Sequence, residues 1–182
     1  MAQARRVGEE HMDVVELQAI GHVRGGRDVP EDDAWEGVQA QIDLNSDQFE
    51  ADALVGLDQF SHVEIVFLFD RLDQKDLEFG ARHPRGRTDW PKVGIFAQRG
   101  RNRPNRIGVS ICRIVGISGL TLHVEGLDAI AGSPVLDIKP VMTGFLPRGD
   151  VEEPGWAREI MVDYWRDPGA KAESGSIDAQ PA

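Results

Sequence analysis

The chain is short of most features that mark a membrane protein or a common enzyme. Its 182 residues hold one cysteine, Cys112, which excludes an internal disulfide framework and fits a reducing compartment. No apolar run approaches the ~20 residues of a membrane-spanning helix. Residues 1–13, MAQARRVGEEHMD, carry charges without the apolar segment of a secretory signal. A cytoplasmic protein with no membrane contact is therefore expected. No G-x-G-x-x-G turn follows an expected strand, and no G-x-x-x-x-G-K-[ST] loop is present, so the usual phosphate cradles of α/β nucleotide-binding folds are missing. His11, His22, His62, His83 and His123 never fall at ligand spacing, and no metal is expected. There is no G-x-S-x-G elbow, and Ser61 and His62, adjacent in an extended segment, are expected on opposite faces. Hydrolytic acyl transfer is disfavoured.

What the chain does have is charge, unevenly placed. The net charge is −11, which by itself disfavours a polyanionic partner. Residues 82–106 nevertheless hold eight basic residues against one acid, Asp89, so that segment is +7 and the remainder −18. A concentrated basic patch on an acidic body can focus an anionic ligand at one place while the body repels indiscriminate contact. The competing reading is a solvated arginine loop neutralised by neighbouring acids.

Hydrophobic patterning indicates a mainly β fold. Residues 14–23, 38–44, 63–69, 93–97, 107–116, 120–125 and 135–139 read as strands, the third (VEIVFLF) rich in β-branched and aromatic residues. Residues 107–125 form the clearest hairpin, with Ile107, Val109 and Ile111 on one face and Gly108, Ser110 and Cys112 on the other. Residues 46–57 space Phe49, Ala53 and Leu57 four apart behind Ser46 as a cap, predicting a short helix. Trp156, Ile160, Met161, Tyr164 and Trp165 predict a packed helix or partner surface over 153–165. Short strands with few helices point to a single β-barrel or strongly curved antiparallel sheet over 14–165. Flexible tails are expected at 1–13 and 166–182.

Chemistry concentrates in two stretches. In QRGRNRPNR, residues 98–106, Gly100 and Pro104 shape a turn, while Arg99, Arg101, Arg103 and Arg106 offer planar forks for carboxylate or phosphate. Further on, Leu127-Asp128-Ala129-Ile130 precedes a Gly-Ser-Pro turn, and Asp137-Ile138-Lys139-Pro140 follows. An aspartate beside such a loop can accept the two hydroxyls of a ribose.

GIFAQRGRNRPNRIGVS, GLDAIAGSPVLDIKP, the FSH at 60–62 and the HPRG at 83–86 together resemble the TsaA/TrmO-like (YaeB-like) family of S-adenosylmethionine-dependent methyltransferases. The match runs in order over residues 17–140. The resemblance implies a β-barrel instead of a Rossmann sheet, a homodimer, and methylation of N6 of threonylcarbamoyl-adenosine in tRNA. It places Arg99, the 127–130 loop (Leu127, Asp128, Ala129, Ile130), Asp70 and Arg71 against S-adenosylmethionine. Arg101, Arg103, Asn105 and Lys139 are the corresponding candidates for the substrate. Gln98, Gly100, Asn102 and Arg106 replace the signature's Thr, Ser, aromatic and Pro, which leaves the substrate open.

Arg99 is expected to clamp a carboxylate or phosphate and Asp128 to hold ribose hydroxyls, with backbone groups of Ala129 and Ile130 reading the adenine. The acceptor nitrogen keeps a proton, so a base would help, and Asp137 is the candidate. The competing role for Asp137 is an ion pair with Lys139 or an arginine. Trp90 and Phe96 can stack on a base or serve the core. Three classes stay open: a tRNA methyltransferase, a methyltransferase for another substrate, and a non-catalytic nucleotide- or RNA-binding module.

Overall fold

The computed structural model describes residues 14–166. The expected tails therefore lie outside the described residues, apart from Arg166. Strands form where branched and aromatic residues alternate with polar ones. They are β1 (Gly21–Gly25), β2 (Gln39–Leu44), β3 (His62–Leu68), β4 (Ala81–Arg82), β5 (Val93–Gly94), β6 (Ile107–Ser118), β7 (Thr121–Glu125) and β8 (Pro134–Pro140). Six of them close an antiparallel barrel in the order β1-β2-β7-β6-β3-β8, and β4 and β5 make a separate two-stranded ribbon.

The barrel interior is one continuous core. Val63, Ile65 and Phe67 of β3, Ile42 of β2, Leu122 and Val124 of β7 and Val135 of β8 are buried to 1% exposure or less. Each such side chain removed from water contributes roughly 1.5–3 kcal/mol. On β6 the small face, Gly108, Ser110 and Cys112, points inward, while Ile111 and Val115 are half exposed outside. The larger ring of Phe67 decides this: a Cβ at Gly108 would stand 2.6 and 2.9 Å from its Cε2 and Cε1 carbons. Val115 is bulged out of the pairing between Ile114 and Gly116, which lets β6 leave β3 and continue beside β7.

Several expected elements shift. The first strand begins at Gly21, and Val14, Val15 and Leu17 are exposed. Residues 46–57 form successive turns, not a helix. Asn45 accepts the Asp47 N–H through its side chain, Gly56 sits at φ 85°, and the bonds run mostly three residues back. Val93–Ala97 splits into a two-residue strand and a 3-10 turn. The C-terminal helix, α1, spans only Gly155–Met161. Beyond it the N–H groups of Ala34 and Trp35 bond to the carbonyls of Asp163 and Tyr164 at 3.0 and 2.9 Å, pulling that backbone out of helical geometry. Among the described residues no helix is long and apolar enough to cross a membrane.

Candidate functional site

Antiparallel closure gathers particular strand ends at one mouth of the barrel. The C-terminal ends of β1, β3 and β7 meet the N-terminal ends of β2, β6 and β8 there. The segments attached to those ends carry Arg27 and Asp28, Asp70 and Arg71, and Leu127 to Ile130.

Asp128 is the centre of this rim. After β7 ends, residues 126–128 run on beside the first half of β6, and Cys112 Sγ lies 3.7 Å from the Gly126 carbonyl. Ser110 Oγ donates to one oxygen of Asp128 and the Tyr164 hydroxyl to the other. On the same strand, Arg99 Nη2 donates to the Val109 carbonyl at 2.7 Å. Arg99 and Asp128 are thus anchored to adjacent residues of β6. Burial, then the Asp128 charge, pushes the Tyr164 phenol well above its ordinary range, and the positive charges of Arg99 and Arg85 oppose this. Burial and Asp128 also push the Cys112 thiol up.

The loop itself is held by arginine. Arg71 donates to the Asp28 carbonyl at 3.0 Å and the Ala131 carbonyl at 2.8 Å, and the Ala131 N–H bonds to the Arg27 carbonyl at 2.8 Å. Arg27 lies 4.5 Å over the ring of the buried Trp35. Leu127 and Ala129 point into the core, 0% and 2% exposed, so only their backbone can face a ligand. Among the described residues the N–H groups of Asp128, Ala129 and Ile130 have no hydrogen-bond partner. Arg85 of the HPRG stretch forks onto both oxygens of Asp33 at 2.9 and 2.7 Å.

The sequence-derived candidates divide. Arg99, Arg71 and the 127–130 loop converge on the rim, and Asp70 sits exposed beside Arg71. Arg101 and Asn105 are exposed on the arginine turn, and Arg103 reaches the Gln98 carbonyl at 3.4 Å. Asp137 and Lys139 stand apart. They pair across from Val66 and Glu64 on the outer face of β3 and form an ion pair with each other. Asp137 also accepts the Ile138 N–H at 2.9 Å. The strand period of two turns both residues away from the interior. Ser61 and His62 also differ from expectation: Ser61 precedes the strand, and its Oγ lies 2.8 Å from His62 Nδ1. They are exposed at the opposite mouth, with no carboxylate on the imidazole among the described residues.

Of the eight basic residues in 82–106, only Arg85 and Arg87 form ion pairs among the described residues. Arg82, Lys92, Arg99, Arg101, Arg103 and Arg106 have no ion-pair partner among the described residues, so the described acids do not neutralise the loop. Two surface hollows do not include Asp128 or Arg99 in their lining. One is lined by Arg24, Gln41 and His123, the other by Phe49, Leu54 and Asp137. Ser110 and Tyr164 were not among the candidates. Ser110 was visible as a polar residue on the small face of β6, and Tyr164 is the only tyrosine in the chain.

Fold and rim define a small closed-barrel domain whose polar site is built from loops at one mouth, a different solution from a Rossmann crevice. Residues 24–145 match the tRNA-methyltransferase O N-terminal domain, and the chain belongs to that family. The human tRNA (adenine(37)-N6)-methyltransferase is 36% identical over 102 residues, 56% of this chain and 23% of the human protein. A "probable S-adenosyl-L-methionine-binding protein" of Methanothermobacter thermautotrophicus is 31% identical over 69% of this chain and 89% of its own length. The crystal structure of TrmO from Pseudomonas aeruginosa superimposes with a TM-score of 0.60 at 28% identity, covering 77% of this chain and 62% of that one. The chain spans under a quarter of the length of the human, rat and mouse relatives it matches. The second arm of the site, Tyr164 and α1, lies beyond the matched residues.

Proposed function

We propose that this domain binds S-adenosylmethionine at the Asp128 rim and methylates N6 of an adenosine in tRNA. The observation that carries the reading is the convergence of Arg99, Asp128 and three unpartnered backbone N–H groups on one mouth of a family-typical barrel. The donor set fits the ligand. A carboxylate accepting two hydrogen bonds keeps further lone pairs for ribose hydroxyls. The N–H groups of 128–130 can meet ring nitrogens of adenine, and a guanidinium can fork onto an amino-acid carboxylate.

The sulfonium of the donor supplies the electrophilic methyl group, so the protein's work is alignment. Asp128, fixed by Ser110 and Tyr164, orients the sugar. Arg71 braces the 127–131 loop by holding the Ala131 carbonyl. Arg99, tied to Val109, sets the position of the carboxylate clamp. Arg101, Arg103 and Asn105 on the adjoining turn face the polyanion. Asp137, ion-paired on the outer barrel wall, serves the fold in this reading and does not move the substrate proton.

The human relative's name specifies adenine 37 of tRNA, and the resemblance implies its threonylcarbamoyl form. The six basic residues without an ion pair among the described residues support a phosphate-rich partner over a small-molecule acceptor. We place the domain in the cytoplasm as a homodimer. The half-exposed Ile111 and Val115 on the outer face of β6 give such an interface apolar surface to cover, and sedimentation of the pure protein tests it. The activity test uses methyl-labelled donor and total tRNA from cells lacking the gene. Digestion should release labelled N6-methyl-threonylcarbamoyl-adenosine; label confined to small molecules, or no transfer, contradicts the proposal.

A further inference from the structure

The ribbon of β4 and β5 ends in two aromatic side chains that the core does not use. Phe79 is 75% exposed and Phe96 80% exposed. Each is the chain neighbour of one member of the Gly80–Ile95 pair, whose N–H and carbonyl bond at 2.9 Å. The two rings therefore flank one end of a hydrogen-bonded ribbon. Exposing two phenylalanines there forgoes the burial that most large apolar side chains find.

The arginine turn is sewn to the same ribbon. The Glu78 N–H bonds to the Asn102 carbonyl at 2.8 Å, and Asn102 Nδ2 donates to the Asp76 carbonyl at 2.8 Å. Gln98 Nε2 donates to the Val93 and Arg82 carbonyls at 3.0 and 3.2 Å. Arg101 and Arg103 thus start beside Phe79, and Arg99 starts three residues from Phe96. Behind them the Arg82 Nε is buried without a partner among the described residues, adding charge that no carboxylate absorbs.

We infer that Phe79 and Phe96 form a stacking platform for unpaired bases of an RNA loop, with Arg101 and Arg103 holding the phosphates between them. Charge complementarity selects the occupant. A two-fold contact through this patch would set the same arginine turn of a second copy against it, like charge on like, whereas a loop RNA offers phosphates at the spacing of its bases. Every base has a π-face, so aromatic stacking suits nucleotides splayed out of a helix, as the target of a base-modifying enzyme must be. Trp90 takes no part: it is 4% exposed, under Arg87 at 3.9 Å, and its Nε1 donates to Glu159 at 2.7 Å.

This inference rests on the RNA reading above, and the experiment separates the two. Fluorescence anisotropy compares a labelled RNA stem-loop with a blunt duplex RNA, for the wild type and for Phe79→Ala, Phe96→Ala, Phe96→Leu and Phe96→Tyr. The wild type should prefer the stem-loop. Each alanine variant should lose about tenfold in stem-loop affinity, with the salt slope unchanged. Phe96→Leu should remain weak and Phe96→Tyr should recover. Arg101→Gln should instead lower the salt slope by about one.

Stem-loop binding by the alanine or leucine variants at wild-type strength overturns the platform and leaves the RNA reading standing. No RNA binding by the wild type overturns both. If the alanine variants change the sedimenting species of the protein alone, the patch is a contact between copies and the inference fails.

Discussion

The Tyr164 hydroxyl and the Ser110 hydroxyl each donate to one oxygen of Asp128, so a residue near the C-terminal end of the described chain sets the plane of the carboxylate on the rim. Losing a hydrogen bond to a charged group costs about 1.5–3 kcal/mol. Tyr164→Phe should therefore destabilise the fold by roughly that amount. By freeing one side of Asp128 it should also weaken S-adenosylmethionine binding by about three- to tenfold. Denaturant titration and calorimetry check the two effects. Full affinity in the variant would show that the phenol does not position the carboxylate.

Cys112 is 1% exposed, and burial together with the Asp128 charge raises its thiol above the ordinary value of 9.0. A group whose folded pKa is raised contributes stability that is complete below its unfolded pKa and is lost as pH rises above it. Stability should accordingly decline from about pH 9 upward, and Cys112→Ala should remove the part of that slope below about pH 10, where tyrosine joins. In the native protein at pH 8 a thiol reagent should label Cys112 only at the rate of unfolding. Prompt labelling would contradict the burial.

Gly108 faces the Phe67 ring with no room for a side chain. Gly108→Ala should destabilise the barrel by about 1–3 kcal/mol through overpacking, read as a fall in the denaturation midpoint. Pairing it with Phe67→Leu should recover part of the loss, because the clash is between those two side chains. Equal effects of the single and double variants would place the strain elsewhere.

Asp137→Asn separates an outer-wall ion pair from a general base. An exposed pair contributes about 0–1 kcal/mol, so the variant should stay folded, and its methyl-transfer rate should fall by less than about threefold, against the factor of about 10²–10⁴ that removing a general base costs. A loss of the larger size would restore Asp137 to the chemistry.

The strands were legible where one period of two dominates, as in Val63, Ile65 and Phe67. The inward face of β6 was not legible from hydrophobicity alone, because Gly108, Ser110 and Cys112 look like the weaker face until the Phe67 ring fills the space above them. The helix expected at 46–57 satisfied the spacing of Phe49, Ala53 and Leu57, but the Asn45 side chain and Gly56 at φ 85° commit the backbone to turns. In the site, Arg99 and Asp128 were readable as residue types. Their meeting depends on β6, which carries Val109 and Ser110 side by side. Tyr164 was legible only as part of an apolar helical stripe; the backbone bonds from Ala34 and Trp35 turn it onto the rim.

The most direct test of the rim site is calorimetric titration of S-adenosylmethionine into the wild-type protein and into Asp128→Asn, which keeps the shape and removes the charge. One site per chain is expected in the wild type, with affinity at least about tenfold lower in the variant, the loss expected for one charge-assisted hydrogen bond. Undiminished affinity in the Asp128→Asn protein, or no binding to the wild type, would contradict the assignment.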